Sequence, residues 1–348
     1  MPLNRVHIKN FSIFEDTSIH FAKHVNVFIG ENGTGKTHLL KLLYAFFETE
    51  AEPCLYENQG EKITLNIKDN SLFSNNFFNN LTLVYKSLKI IPSNGNEVHI
   101  EFDIDKKIHN LVLNVVDGEM YFDPEQNVIG KIKNKAVFIP AKEMLSHADG
   151  LIEMTKKYSN NMPFDKTLLD IIEKAKQWQL KQTPAIAQRV YTKLESLIKG
   201  KIVFENNRFY IEKNDGKRID FDLESEGFKK IGLIWQLIMN ENITDGSILL
   251  WDEPESNINP KLIPEIVDIM LILARCGVQI IIATHDYFLA KYFEVLSSVL
   301  DLVSFHSLYF ENGTLKCETS DKFTTLSHND IISENIKLYE AEIQKVIQ

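Results

Sequence analysis

Apolar residues recur along this chain in two patterns that predict different elements. Continuous apolar or β-branched runs occupy residues 25–29, 136–140, 248–251 and 280–283, and a glycine or polar residue follows each run closely. Runs of this length are typical of buried strands. Helical spacing of apolar residues occurs at residues 36–48, at 164–199 with a break at Pro184, and at 227–239. Together these patterns predict an α/β fold with helices packed around buried strands.

Shorter runs separated by turn residues predict a second kind of structure. Strands are predicted at residues 5–11, 12–21, 63–67, 81–85, 98–103, 111–116 and 120–122, with turns at 93–96 and 117–118 and an exposed loop at 74–80. These strands predict an antiparallel β subdomain. Further strands are predicted at 202–205, 209–212, 219–223 and within 300–318, and a terminal helix is predicted at 331–347.

Composition limits what this fold can carry. The chain has 348 residues, of which 44% are hydrophobic and 25% charged, enough for one large domain or two modest ones. Its net charge of −10 disfavours a surface that coats nucleic acid, although a local basic strip is still compatible with that charge. No signal peptide or membrane span is predicted, so we expect a cytoplasmic protein without a membrane partner. Cys54, Cys276 and Cys317 fit neither a disulfide framework nor a metal site.

The loop that follows the first buried run has the chemistry of a phosphate cradle. Gly30, Gly35, Lys36 and Thr37 match G-x-x-x-x-G-K-[ST], with a strand before the loop and a helix after it. A glycine-rich turn without a ligand is the alternative, and that strand and helix disfavour it. We therefore predict ATP and Mg²⁺ as cofactors, with Thr37 as a metal ligand. The predicted nucleotide-binding residues here are Gly30, Glu31, Asn32, Gly33, Thr34, Gly35, Lys36, Thr37 and His38.

Two later strands end in residues suited to hydrolysis. The run 248–251 leads into Asp252, predicted to hold Mg²⁺, and Glu253, predicted to polarise the attacking water. The run 280–283 leads to His285. A histidine there could instead cap a helix or fill the core, but its place after the acidic strand favours a residue that senses the γ-phosphate. The predicted catalytic residues are Glu253, Lys36 and His285.

Several segments together resemble ABC-type ATPases, in particular the SMC, RecF and OLD-like branch. They are Gly30 to Thr37, Ser225-Glu226-Gly227, Asp252 to Glu255, Asn257 to Pro260 and Thr284 to Asp286, with an opening Lys9-Asn10-Phe11 similar to the start of such heads. The resemblance spans the whole chain. It implies a single P-loop NTPase head over residues 1–348, with the cradle and an antiparallel β subdomain in 1–140, an inserted helical lobe in 141–226, and the signature helix, acidic strand, switch histidine and C-terminal helix in 227–348.

The resemblance also implies roles for individual residues. Ser225, Glu226 and Gly227 correspond to the ABC signature, which binds ATP held by a second copy, and 257–259 corresponds to the D-loop. Glu255 is an acid typical of this branch, and His285 is its switch histidine. Glu226 stands where a glycine is usual and Asn259 where an aspartate is usual, which raises the question of how firmly two copies clamp. Lys142 or Glu143 is the positional candidate for the glutamine loop.

The sequence lacks both a heptad array long enough for an SMC arm and a Toprim nuclease after His285. A bare head of this kind is similar to bacterial AAA-family ATPases encoded beside a separate effector in phage-defence or toxin systems. We predict a sensor or switch ATPase that forms a homodimer or higher oligomer through composite ATP sites and controls a nuclease or toxin. The alternative is a DNA-repair or chromosome-maintenance head that binds nucleic acid directly. A transporter subunit is disfavoured by Lys9-Asn10-Phe11 and Glu255.

Overall fold

The computed structural model describes residues 2–49, 55–58, 61–64, 70–85, 97–116, 119–122, 134–157, 164–179 and 183–347. The strands are β1 (Leu3–Phe11), β2 (Phe14–His20), β3 (Val25–Gly30), β4 (Leu55–Asn58), β5 (Glu61–Thr64), β6 (Glu97–Ile104), β7 (Lys107–Val116), β8 (Glu119–Phe122), β9 (Ala136–Ile139), β10 (Gly200–Glu205), β11 (Arg208–Lys213), β12 (Arg218–Asp220), β13 (Ile248–Asp252), β14 (Gln279–Ala283), β15 (Val303–Glu311) and β16 (Thr314–Ser320). The helices are α1 (Lys36–Phe47), α2 (Asn70–Tyr85), α3 (Ala148–Lys157), α4 (Lys166–Lys176), α5 (Ala185–Ile198), α6 (Glu226–Met239), α7 (Ile263–Arg275), α8 (Tyr287–Leu296) and α9 (Asp330–Ile347).

A central sheet carries the four predicted buried runs, which are β3, β9, β13 and β14. Its order is β16-β15-β3-β14-β13-β9, and all neighbours pair in parallel except the edge strand β16. Asp252 lies beside Ala283, which lies beside Phe28 on the next strand. The carboxyl ends of β13, β14 and β3 therefore meet at one edge of the sheet, where α/β proteins place their sites.

The sheet is buried on both faces, which explains why its strands read as continuous apolar runs. Alternate residues point to opposite faces. Leu249 and Trp251 join a core with helices α4 to α8, whereas Leu250 joins a second core with α1, α2 and the sheet β2-β1-β6-β7-β8. The fold is therefore an α/β head with an antiparallel β subdomain on one side and a helical lobe on the other, as predicted.

One part of the β subdomain was predicted wrongly. The predicted loop at 74–80 and strand at 81–85 are instead the helix α2. Phe77, Leu81 and Val84 recur at helical spacing, and all three are buried against the core that contains α1. The alternation of Leu81 and Leu83 resembles a strand, but Leu83 is half exposed, so the helical period determines the fold of this segment.

The remaining strand predictions have mixed outcomes. Residues 98–103, 111–116 and 120–122 lie in β6, β7 and β8 as predicted. The strand predicted at 63–67 overlaps β5, while 65–67 and the turns at 93–96 and 117–118 lie outside the described residues. The strand predicted at 219–223 stops at Asp220, whose carboxylate accepts a hydrogen bond from the Asp222 N–H and starts a 3₁₀ turn. No helix of the described ranges is both long and apolar enough to cross a membrane.

Candidate active site

A cavity of about 290 Å³ opens where β3, β13 and β14 end. Because β14 lies between β3 and β13, the histidine that follows β14 emerges between the glycine loop and the acidic residues. The structure therefore brings together residues from three distant parts of the chain. The lining consists of Ile13, Asn32, Gly33, Gly35, Lys36, Thr37, His38, Asp252, Glu253 and His285.

Two glycines of the loop occupy positions that disfavour a side chain. Gly30 has φ of +142°, and a Cβ there would lie 2.2 Å from the Leu308 carbonyl oxygen. Gly35 has φ of +82°, and its Cβ would lie 2.6 Å from Cδ1 of Ile13. Positive φ and close contact both favour glycine at these positions. The loop is thus held tightly between β15 and the β1–β2 turn while α1 begins directly after it.

Lys36 lies at the centre of this loop, almost fully buried. Its ammonium donates to the carbonyl oxygens of Gly30 at 2.8 Å and Glu31 at 2.9 Å. The Thr34 hydroxyl donates to the same Glu31 oxygen at 2.8 Å. Burial lowers the pKa of Lys36 to about 8. Charged phosphate oxygens would be stronger acceptors for this ammonium than neutral carbonyls, so the site fits a polyphosphate.

Thr37 and Asp252 form the candidate metal site. The Thr37 hydroxyl donates to the Asp252 carboxylate, at 2.9 Å from Oδ2 and 3.2 Å from Oδ1. Burial raises the pKa of Asp252, while the hydrogen bond from Thr37 opposes this shift. Hydroxyl and carboxylate oxygens are the hard ligands that Mg²⁺ prefers, and these two are already in contact at the cavity wall. The pair therefore fits Mg²⁺ shared with a bound phosphate.

Glu253 and His285 also line the cavity. Glu253 has φ of +45°, an uncommon conformation for a residue with a side chain, and its N–H donates to Ala283 at 2.9 Å. Its carboxylate remains partly exposed in the cavity, and Oε1 lies 3.9 Å from His285 Nε2. Burial, together with nearby Lys36, lowers the pKa of His285, so its ring is neutral at pH 7. The arrangement places a carboxylate and a neutral imidazole side by side.

Glu255 orients the histidine loop rather than lining the cavity. Its Oε1 accepts from the Thr284 hydroxyl at 2.7 Å and from the His285 N–H at 3.2 Å. Burial raises the pKa of this carboxyl group, and the hydrogen bond from Thr284 opposes the shift. Glu255 thus links the segment after β13 to the segment after β14 and fixes the backbone of His285.

The β1–β2 turn contributes a wall that the sequence does not predict. Ile13 lines the cavity, and the Ser12 hydroxyl lies 2.7 Å from Nδ1 of His38. The Tyr85 hydroxyl donates to the His38 carbonyl oxygen at 2.5 Å, which ties α2 to the start of α1. Nothing in the sequence around Ile13 distinguishes it from an ordinary turn residue.

Ser225, Glu226 and Gly227 do not line this cavity. They form the start of α6, where Ser225 is exposed and its hydroxyl does not cap the helix. The Glu226 carboxylate accepts from the Lys229 ammonium at 3.1 Å, which compensates its charge within the chain. A Cβ on Gly227 would lie 3.0 Å from Leu262 Cδ1, so this position is also crowded. The hydroxyl of Ser225 is therefore available to a group outside the chain's own cavity.

The candidate for the glutamine loop does not line the cavity either. The Glu143 carboxylate accepts from the N–H groups of Leu145 at 2.5 Å and Ser146 at 3.2 Å. It therefore begins the 3₁₀ turn at Leu145–His147. Neither Lys142 nor Glu143 is among the lining residues. Asn259 has a comparable local role, because its side chain accepts from the Lys261 N–H at 3.0 Å and begins another 3₁₀ turn.

Lys230, to which the sequence assigns no role, holds the segment that carries Glu253. It is buried on α6, and its ammonium contacts the carbonyl oxygens of Glu253 and Pro254, both at 3.2 Å, and of Ser256 at 2.8 Å. The Ser256 hydroxyl lies 2.9 Å from the same ammonium. Burial lowers the pKa of Lys230 to about 8. A lysine after a signature-like segment is the sequence signal that could have indicated this contact.

We expect Lys230→Met to reduce kcat for ATP hydrolysis by about 10- to 100-fold while KM changes little, because a small displacement of a reacting group carries a cost of that size. Methionine keeps the length of the side chain but leaves the carbonyl oxygens of the Glu253 segment without their cation. Steady-state kinetics measure the split, and Lys174→Met is the control, since Lys174 instead pairs with Glu48 at 3.0 Å. An unchanged kcat with a lower melting temperature would mean that Lys230 has a structural role only.

A P-loop beside β14, an acidic strand beyond it and a histidine between them define the class of protein. The molecule is an ATPase head of the ABC, SMC and RecF type. The chain belongs to the family described as "AAA domain, putative AbiEii toxin, Type IV TA system", whose profile matches residues 25–291. The resemblance found in the sequence is thereby confirmed.

Similar proteins agree on this class. The L-cystine import ATP-binding protein TcyN of Bacillus subtilis is 21% identical over 215 residues, which cover 56% of this chain and 76% of TcyN. The DNA replication and repair protein RecF of Lactobacillus johnsonii is 48% identical over 44 residues, only 13% of this chain and 12% of RecF. Members of the class bind ATP with Mg²⁺.

Solved SMC heads share the fold. An SMC head bound to the C-winged helix domain of ScpA has a TM-score of 0.54 at 12% identity, over 92% of this chain and 98% of the other. An SMC head with an extended coiled coil, bound to the C-terminal domain of ScpA derived from Pyrococcus furiosus, has a TM-score of 0.52 at 12% identity, over 99% of both chains. At this identity the likeness concerns the fold alone.

Proposed function

We propose that this chain is a cytoplasmic switch ATPase that binds and hydrolyses Mg-ATP and dimerises around it. The observation that carries the proposal is the single cavity in which Lys36, Thr37, Asp252, Glu253 and His285 converge from three strand ends. Each of these side chains has the chemistry that phosphoryl transfer to water requires.

Each residue has a role in the proposed reaction. Lys36 would exchange its loop carbonyls for β- and γ-phosphate oxygens, and Thr37 with Asp252 would hold the metal, which when bound would offset phosphate charge. Glu253 accepts a proton from the water whose oxygen attacks the γ-phosphorus, while the bond to the β-phosphate oxygen breaks and ADP leaves. His285, neutral at pH 7, donates a hydrogen bond to the γ-phosphate.

The predicted composite site explains why Ser225 lies apart from the chain's own cavity. An exposed hydroxyl at the start of α6, next to a glycine and the helix N-terminus, is suited to bind phosphate oxygens presented by a second copy. Glu226 would otherwise repel that phosphate, but its pairing with Lys229 reduces the repulsion. We therefore propose that the signature segment of one copy faces the cradle of the other, within the proposed single head of residues 1–348.

Mixing two inactive variants tests this arrangement. Lys36→Ala disables the cradle of its own copy, and Ser225→Arg disables the signature of its own copy. In a mixed dimer one site combines the intact cradle with the intact signature, so we expect ATPase activity to return, whereas each variant alone stays inactive. Subunit exchange is verified with differently labelled chains. Mixed dimers that form and recover no hydrolysis would rule out a site shared between two copies.

We propose further that the switch controls a separate effector, a nuclease or toxin, in a bacterial defence system. The description of the family, which names a putative AbiEii toxin and a type IV TA system, supports a place in such a system, while the separate effector is suggested by the resemblance stated from the sequence. Mass spectrometry of proteins that co-purify with the chain from its native host tests it. A toxin or nuclease retained with the wild type and released by Lys36→Ala is the expected result.

A second candidate is a DNA-repair or chromosome-maintenance head that contacts nucleic acid directly. The local match to RecF, whose name assigns it to DNA replication and repair, favours this candidate. Duplex binding measured with Mg-ATP over a range of salt concentrations separates the two, because phosphate contacts weaken steeply as salt rises. Salt-sensitive, ATP-dependent binding would favour the DNA-binding head over the effector switch.

A further inference from the structure

The C-terminal helix α9 carries an apolar stripe that no other described part of the chain covers. The helix begins on the body of the protein, where Ile331 and Ile332 pack against the core that contains helices α4 to α8. From residue 336 to residue 346 every residue is exposed. The exposed side chains include Ile336, Tyr339, Ile343 and Val346, the last of them 86% exposed. We call residues 336–346 the α9 arm.

The body fixes the direction of the α9 arm. Asn329 is buried, its amide donates to the Phe323 carbonyl oxygen at 2.8 Å, and its Oδ1 accepts from the Ile332 N–H at 3.2 Å. The Ser307 hydroxyl on β15 donates to the carbonyl oxygen of His328, the residue before Asn329. The first turn of α9 is thus bonded to the central sheet. The position of the arm in a dimer is therefore set by the position of the ATPase body.

The apolar residues of the arm follow a heptad. Counting from the anchored Ile332, the stripe continues at positions 336, 339, 343 and 346, which is alternating spacing of four and three. This is the a and d pattern of a coiled-coil seam, in which each side chain fits between residues of a facing helix. Leu338, also exposed, lies off the stripe. A stripe of this regularity on a projecting helix indicates a helical partner.

The charges beside the stripe select a parallel copy of the same helix. Glu340 and Glu342 occupy the flanking e and g positions, which face the partner helix. In an antiparallel pair, an a position of one helix packs against a d position of the other. Glu340 and Glu342 of both copies then lie close together at the same level of the seam, and their negative charges repel each other. In a parallel pair, g of one heptad faces e of the next, so Glu340 of one copy faces Asn335 of the other and no second glutamate. Parallel pairing of two copies therefore avoids like charges at the seam.

We propose that the α9 arms of two copies pair in parallel as a two-stranded coiled coil when ATP brings the heads together. The inference rests on the proposed ATP-dependent dimer. The described stripe spans only two heptads, fewer than the three or four that identify a coiled coil from sequence, so the arms alone associate weakly. When the heads engage, the two arms are held close together, and this high effective concentration allows the arms to pair. Arm pairing then makes the surface formed by the α9 arms depend on the nucleotide state.

Cross-linking with a short bismaleimide tests the pairing and its direction. In the Glu253→Gln chain, Val346→Cys should link to itself, about tenfold more with Mg-ATP than without nucleotide. The wild type with its native cysteines sets the background. A mixture of Ile336→Cys and Val346→Cys chains should give no mixed link, because these positions lie about 15 Å apart along a parallel pair.

Matched substitutions on the same helix make the test specific. Ile343→Asp places a charge in the seam and should reduce the Val346→Cys link to background. Leu338→Asp makes a similar change at an exposed residue off the seam and should leave the link unchanged. Light scattering of each variant with Mg-ATP reports head engagement separately from arm pairing.

The outcomes separate this inference from the proposed function. An ATP-dependent dimer without a Val346→Cys link, or with a mixed 336–346 link, overturns parallel pairing while the switch ATPase stands. Loss of a co-purifying protein in Ile343→Asp, with dimer and link intact, would assign the stripe to another partner and also overturns it. Absence of any ATP-dependent dimer defeats both proposals.

Discussion

Lys36→Ala should lower the affinity for ATP by roughly 10²-fold or more and leave no measurable hydrolysis. The ammonium is the cation at the centre of the glycine loop, and hydrogen bonds to charged groups contribute about 1.5–3 kcal/mol each, so losing contacts to two phosphates has an effect of this size. Binding of a fluorescent ATP analogue and phosphate release measure the two effects.

The fold should survive this substitution. Among the described residues, the ammonium of Lys36 donates only to carbonyl oxygens of its own loop, Gly30 and Glu31, so no bond between distant elements is lost and melting should remain cooperative. Lys174→Ala, which removes a lysine of the helical lobe, is the matched control and should retain wild-type binding. Tight ATP binding with full turnover in Lys36→Ala would remove the nucleotide-site assignment.

The cradle could be predicted from the sequence because its chemistry is contiguous. The residues from Gly30 to Thr37 act through local backbone geometry, and the continuous apolar runs around them are the mark of a sheet covered on both faces. The acids at 252 and 253 could also be predicted, because they directly follow the apolar run of a buried strand. The strand order brings these acids to the cradle. That order could not be predicted from the spacing of residues, and it was indicated by the resemblance to a known class.

Other parts of the site depend on contacts between distant segments. Ile13 meets Gly35 only because a hairpin folds over the loop, and Lys230 meets the carbonyl oxygens of Glu253 and Pro254 only because α6 lies against the segment that follows β13. The misprediction of α2 has a related cause, since the period of its apolar residues becomes decisive only when Phe77 is known to be buried. Propensity and spacing are weak wherever tertiary packing decides.

The local strain at Glu253 connects the fold to the reaction. Its positive φ is held by the hydrogen bond from its N–H to Ala283 and by the contact of its carbonyl oxygen with Lys230. Strained backbone persists where the surrounding structure determines it, and it is concentrated at functional sites. Here both restraints act on the main chain and leave the carboxylate free to face the cavity, as a general base requires.

Glu253→Gln should slow hydrolysis by roughly 10²-fold or more while ATP binding persists, because the amide keeps the size of the side chain but cannot accept a proton. The variant should accumulate as an ATP-dependent dimer, seen by size exclusion with light scattering with and without Mg-ATP. Asp252→Asn should differ, since it weakens the Thr37 pair and Mg²⁺ affinity as well as the rate. Glu173→Gln, on the surface of the helical lobe, is the control. Wild-type turnover and unchanged assembly in Glu253→Gln would contradict both the general base and the ATP-clamped dimer, because both require that loss of proton transfer traps the bound nucleotide.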